Sequence, residues 1–508
     1  MVTRHKNTTC KALAKWLAMA SPPAKRARRS VRSPLRSLPD EVRVALCTWL
    51  ACDDLGRLEC TAKSIVPTVG AAVQKQSASA FGRPAPARLP RESWGMLARF
   101  TSWRFFGGPA GIALGATHCA YIRRSGSGSG DGSSGPPCCF TLGNGAAGQL
   151  GNCKKNKRAA PAPVVLPPPP QEVGAGGGAG GGAGVAAAAA VDLHTAVACG
   201  DDFTAVLTAG GRLYTFGRSF DGRLGLGSNA AGGVTAGSSS SSSSSSSVQR
   251  PALVRGALGA LRVASVSCAG GSTAAVTGCG ALFTWGLGRR HQLGHGGVRS
   301  EHSPRRVRAL EAHRVARACM GATCAAAVTA GGALYTWGTN SGSNLGQQTR
   351  SDVAQPAQAD TLGFEVADAA ICRTHAAVVT TTGELIAFGL GQRLPAVVTA
   401  LQGARVVAVA VTAVVGVRAC SHTVALTSAG RVHVFAGLRS GGRFADEQAL
   451  AALRDRRIAA IAAVPSSPTW AALSRSGAVA TLGESAQYAA FEHIDVAAET
   501  DPDAEHRS

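Results

Sequence analysis

The sequence has few aromatic residues, fewer acidic than basic residues, and no long apolar run. Aromatic residues account for 5% of the 508 residues, whereas there are 64 glycines. Few aromatics together with abundant Gly, Ala and Val favour short, closely packed strands over a large helical enzyme. The most apolar stretch, residues 406–417, is shorter than the ~20 residues that a bilayer-spanning helix needs. No transmembrane segment is therefore predicted.

The 15 cysteines form no Cys-x-x-Cys pair, so the usual ligand spacing of a zinc site is missing. Five of them instead recur at nearly the same position of a repeated unit described below, as a small buried apolar residue would. These five are Cys199, Cys268, Cys319, Cys372 and Cys420. We therefore expect reduced, packed cysteines in a cytoplasmic or nuclear protein, with no metal site and no cofactor.

The charge is strongly basic and unevenly distributed. The chain has 52 Lys and Arg against 29 Asp and Glu, a formal net charge of +23. Residues 1–106 hold 19 basic and 6 acidic residues, whereas residues 487–508 hold 1 basic and 6 acidic. Such a chain is suited to docking on a nucleic acid or an acidic protein, because Lys and Arg release counterions from polyanions. An ordinary solvated surface is the alternative interpretation.

The first 39 residues contain no acid, and residues 1–36 are predicted to be a disordered basic tail. The cluster Lys25–Arg29 is typical of a nuclear localisation signal. An organelle transit peptide has a similar composition, and a tail with neither role remains open. We expect a cytoplasmic or nuclear protein, and an organelle transit peptide is the alternative.

Internal repetition is the strongest signal in the sequence. Residues 203–217, 272–286 and 324–338 align without a gap, and further copies begin at His118, His375, His422 and Thr469. Each copy predicts a β-hairpin with a Gly-containing turn. One hairpin cannot bury both of its faces, but seven sheets stacked around an axis can. The positions predicted to carry this repeat structurally are Gly217, Trp285, Gly286, Trp337, Gly338 and Gly389.

Two further elements follow the early hairpins. A Gly/Gln-Leu-Gly loop occurs at residues 148–151 and 292–294, and Pro-x-x-Val occurs at 251–254 and 304–307. Together with Trp-Gly and a period near 50, this pattern resembles the regulator-of-chromosome-condensation repeat. The resemblance implies a mainly β, seven-bladed propeller over residues 110–487. A kelch-type propeller is the rival, although its paired glycines and separated Tyr and Trp are not the pattern here.

Some features depart from an even repeat. Three Gly-, Pro-, Ala- or Ser-rich insertions, residues 125–137, 161–190 and 238–247, are predicted to be disordered surface loops. His118, His375 and His422 are interpreted as structural residues bonded to turns rather than as ligands. Residues 488–508 are predicted to form an acidic C-terminal tail.

A short helical module is predicted ahead of the propeller, at residues 37–76. Pro39 suits a first helical turn, and Val42, Leu46 and Leu50 recur at four-residue steps. This segment resembles an F-box, the helical motif that docks on the adaptor of cullin-type ubiquitin ligases. The resemblance implies an adaptor contact through Leu38, Pro39, Leu46, Leu50 and Leu55. An ordinary helical hairpin packed on the propeller is the alternative, and residues 88–106 are predicted to form a linker helix.

No arrangement of Ser, His, Asp, Cys or paired carboxylates indicates acid–base or nucleophilic catalysis. The chain is therefore interpreted as a protein-interaction platform, not an enzyme, with no small-molecule substrate. The leading hypothesis is a substrate receptor: the F-box-like module binds the adaptor and cullin core, and the propeller binds an unknown protein substrate. The alternatives are a guanine-nucleotide exchange factor for a Ran-type small GTPase and a chromatin-associated scaffold.

Overall fold

The computed structural model describes the propeller almost continuously and little of the chain before it. The described residues are 71–72, 111–123, 138–153, 158–167, 193–227, 247–390, 392–401, 403–413, 421–436, 453, 458–474 and 479–482. Of the predicted helical module, only Ala71 and Ala72 are described; both are helical, and Ala72 is buried. The predicted basic tail, linker helix and acidic tail lie outside the described residues.

Within the described ranges, twenty-six strands form seven antiparallel sheets in chain order, which confirms the predicted mainly β, seven-bladed propeller. Blade 1 contains β1 (Ile112–Leu114), β2 (His118–Arg123), β3 (Cys138–Gly143) and β4 (Arg158–Pro163). Blade 2 contains β5 (His194–Cys199), β6 (Phe203–Thr208), β7 (Leu213–Arg218) and β8 (Ser247–Leu253). Blade 3 contains β9 (Val263–Ala269), β10 (Ser272–Thr277), β11 (Leu282–Gly286) and β12 (Glu301–Arg306).

The remaining blades follow the same order. Blade 4 contains β13 (Val315–Met320), β14 (Cys324–Thr329), β15 (Leu334–Gly338) and β16 (Val353–Gln358). Blade 5 contains β17 (Val366–Ile371), β18 (His375–Thr380), β19 (Leu385–Gly389) and β20 (Gln392–Val397). Blade 6 contains β21 (Val406–Val411), β22 (His422–Thr427) and β23 (Val432–Ala436). Blade 7 contains β24 (Ile458–Ala463), β25 (Trp470–Ser474) and β26 (Val479–Leu482).

The repeated sequence segment forms the two central strands of each blade. In blade 2, β6 and β7 pair antiparallel from Phe203 opposite Gly217 to Leu207 opposite Leu213. Every residue of β6 is buried, because neighbouring blades cover both faces of the sheet. This two-sided burial explains the continuous apolar runs in place of strict alternation.

The ring is closed by packing between its last and first blades. Ile112 and Leu114 of blade 1 share an apolar cluster with Val464, Ala471 and Leu473 of blade 7. Clusters of the same kind lie between the other neighbouring blades, such as Phe203 of blade 2 with Trp285 of blade 3. No blade in the described ring therefore ends in an exposed apolar face, which is the physical reason for closure.

The first strand of each blade lies innermost and lines an axial cavity of about 190 Å³. Each blade contributes a small side chain to the lining of this cavity. One residue from each blade is Ala113, Ala198, Ser267, Cys319, Ala370, Ala410 and Ala462. Of the predicted repeat cysteines, Cys199, Cys268 and Cys372 are buried, and Cys319 is half-buried; Cys420 lies outside the described residues.

Two predicted insertion boundaries were wrong. Pro161–Pro163 belong to the outer strand β4, and Ser247 opens the outer strand β8. An outermost strand tolerates proline because its free edge needs no backbone N–H donor. The predicted Pro-x-x-Val elements also lie here: Pro251 sits in β8, and Val254, just after it, is buried.

Among the described residues, no helix is long and apolar enough to cross a bilayer.

Candidate interaction surface

The two ends of the propeller differ in what they display. The first and third strands of every blade run to the same end, which also holds the long loops between the third and fourth strands. We call this the loop end, and the opposite end the hairpin end. A strand threonine anchors each early loop by donating its hydroxyl to the carbonyl of the loop leucine, over 2.6–2.9 Å. The pairs are Thr141–Leu150, Thr215–Leu224, Thr284–Leu293 and Thr336–Leu345.

The Gln-Leu-Gly loop of one blade and the Trp-Gly of the next are contact partners. The Trp337 indole Nε1 of blade 4 donates to the Gln292 carbonyl of blade 3 over 2.8 Å. A Cβ added at Gly294 would lie 2.9 Å from the same indole nitrogen. Trp285 donates in the same way to the Arg223 carbonyl of blade 2 over 3.1 Å. The two motifs therefore recur together because the tryptophan of one blade hydrogen-bonds to the loop of the preceding blade.

All of the residues predicted as structural lie at these boundaries or strand ends. Trp285 and Trp337 are fully buried. The four glycines close the third strands with φ between 97° and 119°, a region that favours glycine. They are Gly217, Gly286, Gly338 and Gly389.

His422 contacts Thr412 in a turn of its own blade, as predicted, whereas His118 and His375 also bond across blade boundaries, which the prediction did not include. His118 Nε2 lies 2.8 Å from Thr204 Oγ1 of blade 2, and that hydroxyl donates to the Gln149 carbonyl of blade 1. A hydroxyl has one proton to give, so His118 is the donor. His375 Nε2 contacts Thr423 Oγ1 of blade 6 in the same manner, over 3.0 Å. Burial lowers the pKa of His118 and of His375 to about 4, so both are neutral at pH 7.

The tips of the four loops are exposed and differ from blade to blade. We call the residue four positions before the loop leucine the tip residue. It is Ala146 in blade 1, Phe220 in blade 2, Arg289 in blade 3 and Ser341 in blade 4. Phe220 is 59% exposed although it is a large apolar residue, and the Asp221 that follows it has a φ of +56°. A uniform framework that holds variable, exposed tips is the arrangement by which rigid scaffolds present binding residues. These tips were not predicted from the sequence, although the variable residues are visible once the four loops are aligned.

Blades 2 and 3 combine their tips into one basic surface, which we call the arginine face. It consists of Phe220, Arg289, Arg290, Val298 and Arg299. The blade 3 loop closes on itself, because the Gly288 amide donates to Ser300 Oγ and so brings Arg289 and Arg290 near Arg299. The blade 2 loop joins it through Asp221, whose carboxylate lies 3.8 Å from Arg289. Blade 2 also contacts the outer strand of blade 3, where the Gly227 amide donates to the His302 carbonyl.

The charge of the arginine face is poorly compensated. Residues 287–308 contain six arginines and one glutamate. That glutamate, Glu301, pairs with Arg305, and Asp221 is shared between Arg289 and the buried Arg223. Within the part of the chain that the structure describes, Arg290 and Arg299 have no carboxylate within ion-pairing distance. The surface therefore has positive charge available for a partner.

Among the described residues, one ion pair joins the innermost strands of two neighbouring blades. Arg317 Nη1 of β13 lies 2.9 Å from Asp368 Oδ1 of β17. Burial raises the pKa of Asp368, and the neighbouring Arg317 opposes that shift. The pair joins blades 4 and 5, and its charges compensate each other, so it is a structural feature rather than a binding site. In the described ranges, no group of three or more His, Cys, Asp or Glu residues is placed to hold a metal ion.

The predicted adaptor-contact residues, Leu38, Pro39, Leu46, Leu50 and Leu55, lie outside the described residues. Their role stays a prediction.

The closed ring and its variable loop end define a seven-bladed β-propeller with a protein-interaction role. Residues 210–276 and 280–328 match the model of the Regulator of chromosome condensation (RCC1) repeat. Residues 195–223 match a second model of the same description. The predicted RCC1 repeats are therefore present, and the matched segments include the whole arginine face.

Known proteins resemble this chain over part of its length. The chain is 33% identical over 196 residues to the human E3 ubiquitin-protein ligase HERC2, a match that covers 38% of this chain and 4% of that protein. It is 30% identical over 201 residues to the mitochondrial RCC1 domain-containing protein RUG3 of Arabidopsis thaliana, covering 38% of this chain and 42% of that one. The chain thus matches well under two thirds of the length of either relative.

A solved structure agrees in fold. Yeast RCC1 (Prp20), determined with Kap60 bound, superposes with a TM-score of 0.52 at 14% identity, over 71% of this chain and 81% of that one. At this identity the likeness concerns the fold alone.

Proposed function

We propose that this protein is a substrate receptor of a cullin-type ubiquitin ligase, in which residues 37–76 bind the adaptor and the loop end of the propeller binds the substrate. The observation that carries the proposal is the order of the modules. A Leu-Pro start and a leucine stripe precede a large interaction scaffold. The ubiquitin-ligase activity in the name of HERC2, which shares the propeller repeats, supports the same pathway.

In this role the chain supplies position rather than chemistry. A rigid propeller holds a bound protein at a fixed place relative to the ligase core, which raises the effective concentration of its lysines near the ubiquitin carrier. The loop end suits substrate capture because its framework is fixed by interblade hydrogen bonds while its tips vary. Exposed Phe220 beside uncompensated arginines provides both apolar area and charge for such a contact.

The proposal is tested by co-purification of the full chain with the adaptor and the cullin. Leu38→Ala and Leu46→Ala should each reduce the retained adaptor about tenfold, which corresponds to roughly 1.4 kcal/mol. The matched control is Leu394→Ala, which removes the same side chain from an exposed site (62%) on the propeller. Thermal unfolding of each variant reports whether the propeller is intact. Absence of adaptor from the wild-type preparation, or equal retention by all variants, contradicts the proposal.

A further inference from the structure

We propose that the arginine face is the docking surface for the chain's own acidic segment, residues 488–505. This inference is independent of the ubiquitin-ligase proposal, because it concerns a contact within the molecule.

The charges of the face and the segment are complementary. Arg290 and Arg299 are exposed, and Arg289 is 71% exposed and shares Asp221 with Arg223. Residues 487–508 carry six acids and one arginine. No other stretch of comparable length in this basic chain is so acidic. Opposite potentials of this kind steer and orient association.

Both the arginine face and the acidic segment also contain apolar side chains. Phe220 and Val298 are 59% and 54% exposed beside the arginines. The acidic segment includes Phe491, Ile494 and Val496, each of which adjoins Glu492 or Asp495 in the sequence. A polypeptide that alternates acids with apolar residues can neutralise the arginines and cover the apolar side chains together. A phosphate backbone neutralises charge only.

The chain after the last described strand is long enough to bring the acidic segment to the arginine face. The last described strand ends at Leu482, and as the third strand of its blade it ends at the loop end, on the same side as the arginine face. The 21 residues from Leu482 to Asp503 span up to about 70 Å when extended. A compact domain the size of residues 111–482 has a radius of gyration of roughly 21 Å. The segment can therefore cross from blade 7 to blades 2 and 3.

The test uses the full chain, a variant that ends at residue 487, and a fluorescent peptide of residues 488–507. Fluorescence anisotropy at low salt should show that the peptide binds the shortened variant about tenfold more tightly than the full chain, whose own segment occupies the site. In the shortened variant, Arg290→Glu with Arg299→Glu should abolish peptide binding. Arg255→Glu, at an exposed site of the hairpin end, should leave it unchanged.

Three outcomes overturn the proposal. One is equal peptide affinity for the full and shortened chains. Another is equal loss of binding in the Arg255→Glu control and the double variant, which would indicate attraction to overall charge. The third is a duplex DNA probe that binds the full chain as tightly as the shortened one and is lost in the double variant, which would assign the face to nucleic acid. Matching thermal unfolding curves for all variants exclude misfolding as the cause.

Discussion

At the residue scale, the repeat is maintained by positions that tolerate one residue type for a steric reason. Gly338 has a φ of +103°, and a Cβ there would lie 2.6 Å from the Thr323 carbonyl oxygen. The backbones of β14 and β15 approach this closely because the Thr339 amide donates to that same carbonyl. The glycine therefore permits the hydrogen bond that ends the hairpin.

Gly338→Ala should destabilise the propeller by about 1–3 kcal/mol, because it adds both a strained φ and a clash with backbone. Urea unfolding of wild type and variant measures the difference. Gly297→Ala is the matched control, since Gly297 has no heavy atom within 4 Å of an added Cβ. Equal unfolding midpoints for Gly338→Ala and wild type would contradict this description of the strand end.

The buried histidines predict a dependence of stability on pH. The pKa of His118 and of His375 is about 4 in the folded protein, below the 6.5 of an exposed histidine. The unfolded chain therefore takes up protons that the folded chain does not as the pH falls below 6.5. The stabilising contribution is complete above that pH and declines toward pH 4, by up to roughly 3 kcal/mol for each histidine.

His118→Gln should flatten the fall in unfolding free energy between pH 7 and pH 5, although it lowers stability at pH 7. Urea unfolding of the wild type and the variant at pH 7 and at pH 5 measures how far the midpoint changes between the two pH values. His302→Gln, at an exposed position, should retain the wild-type slope. A wild-type slope in His118→Gln would show that this histidine is not neutral in the folded state.

At the element scale, the contacts between blades decide the architecture. Leu473 of β25 is 7% exposed and packs in the cluster that joins blade 7 to blade 1. Leu207 of β6 is 2% exposed and packs between blades 2 and 3. If the ring is closed, each of the two leucines lies at a boundary between two packed blades, and the two boundaries are equivalent.

Leu473→Ala and Leu207→Ala should therefore each lower the free energy of unfolding by about 2–4 kcal/mol. In both variants the whole propeller should still unfold in one cooperative transition, at a lower temperature than in the wild type. Differential scanning calorimetry follows both variants. An early, separate transition in Leu473→Ala alone would indicate that blade 7 is a terminal unit rather than part of a ring.

The strands could be predicted from the sequence more readily than the contacts between blades. The hairpin strands β6 and β7 were predictable because Phe203–Thr208 and Leu213–Arg218 are joined by a short turn. The innermost strand β9 was not, because Val263–Ala269 mixes small polar and apolar residues to suit a crowded axis. Contacts across blade boundaries, such as Trp337 with Gln292, join residues 45 positions apart and leave no local pattern. The arginine face was therefore foreseen only as a basic surplus.

At the scale of the whole molecule, closure makes the loop end a single rigid surface. Blades 2 and 3 present the arginine face only because their loops are held in register by bonds such as Trp285 to the Arg223 carbonyl. Both proposals for this chain, substrate capture and coverage by the acidic segment, depend on that register. An open stack of sheets would not hold it.

Native-state hydrogen exchange of the innermost strands tests the closed ring most directly. In a closed ring, the amides of β1 and β24 are interior and should exchange as slowly as those of β9 and β13, through opening of the whole propeller. In an open stack, β1 and β24 belong to terminal units that open independently. Exchange in Ile112–Leu114 and Ile458–Ala463 that is orders of magnitude faster than in Val263–Ala269 would contradict the closed seven-bladed ring.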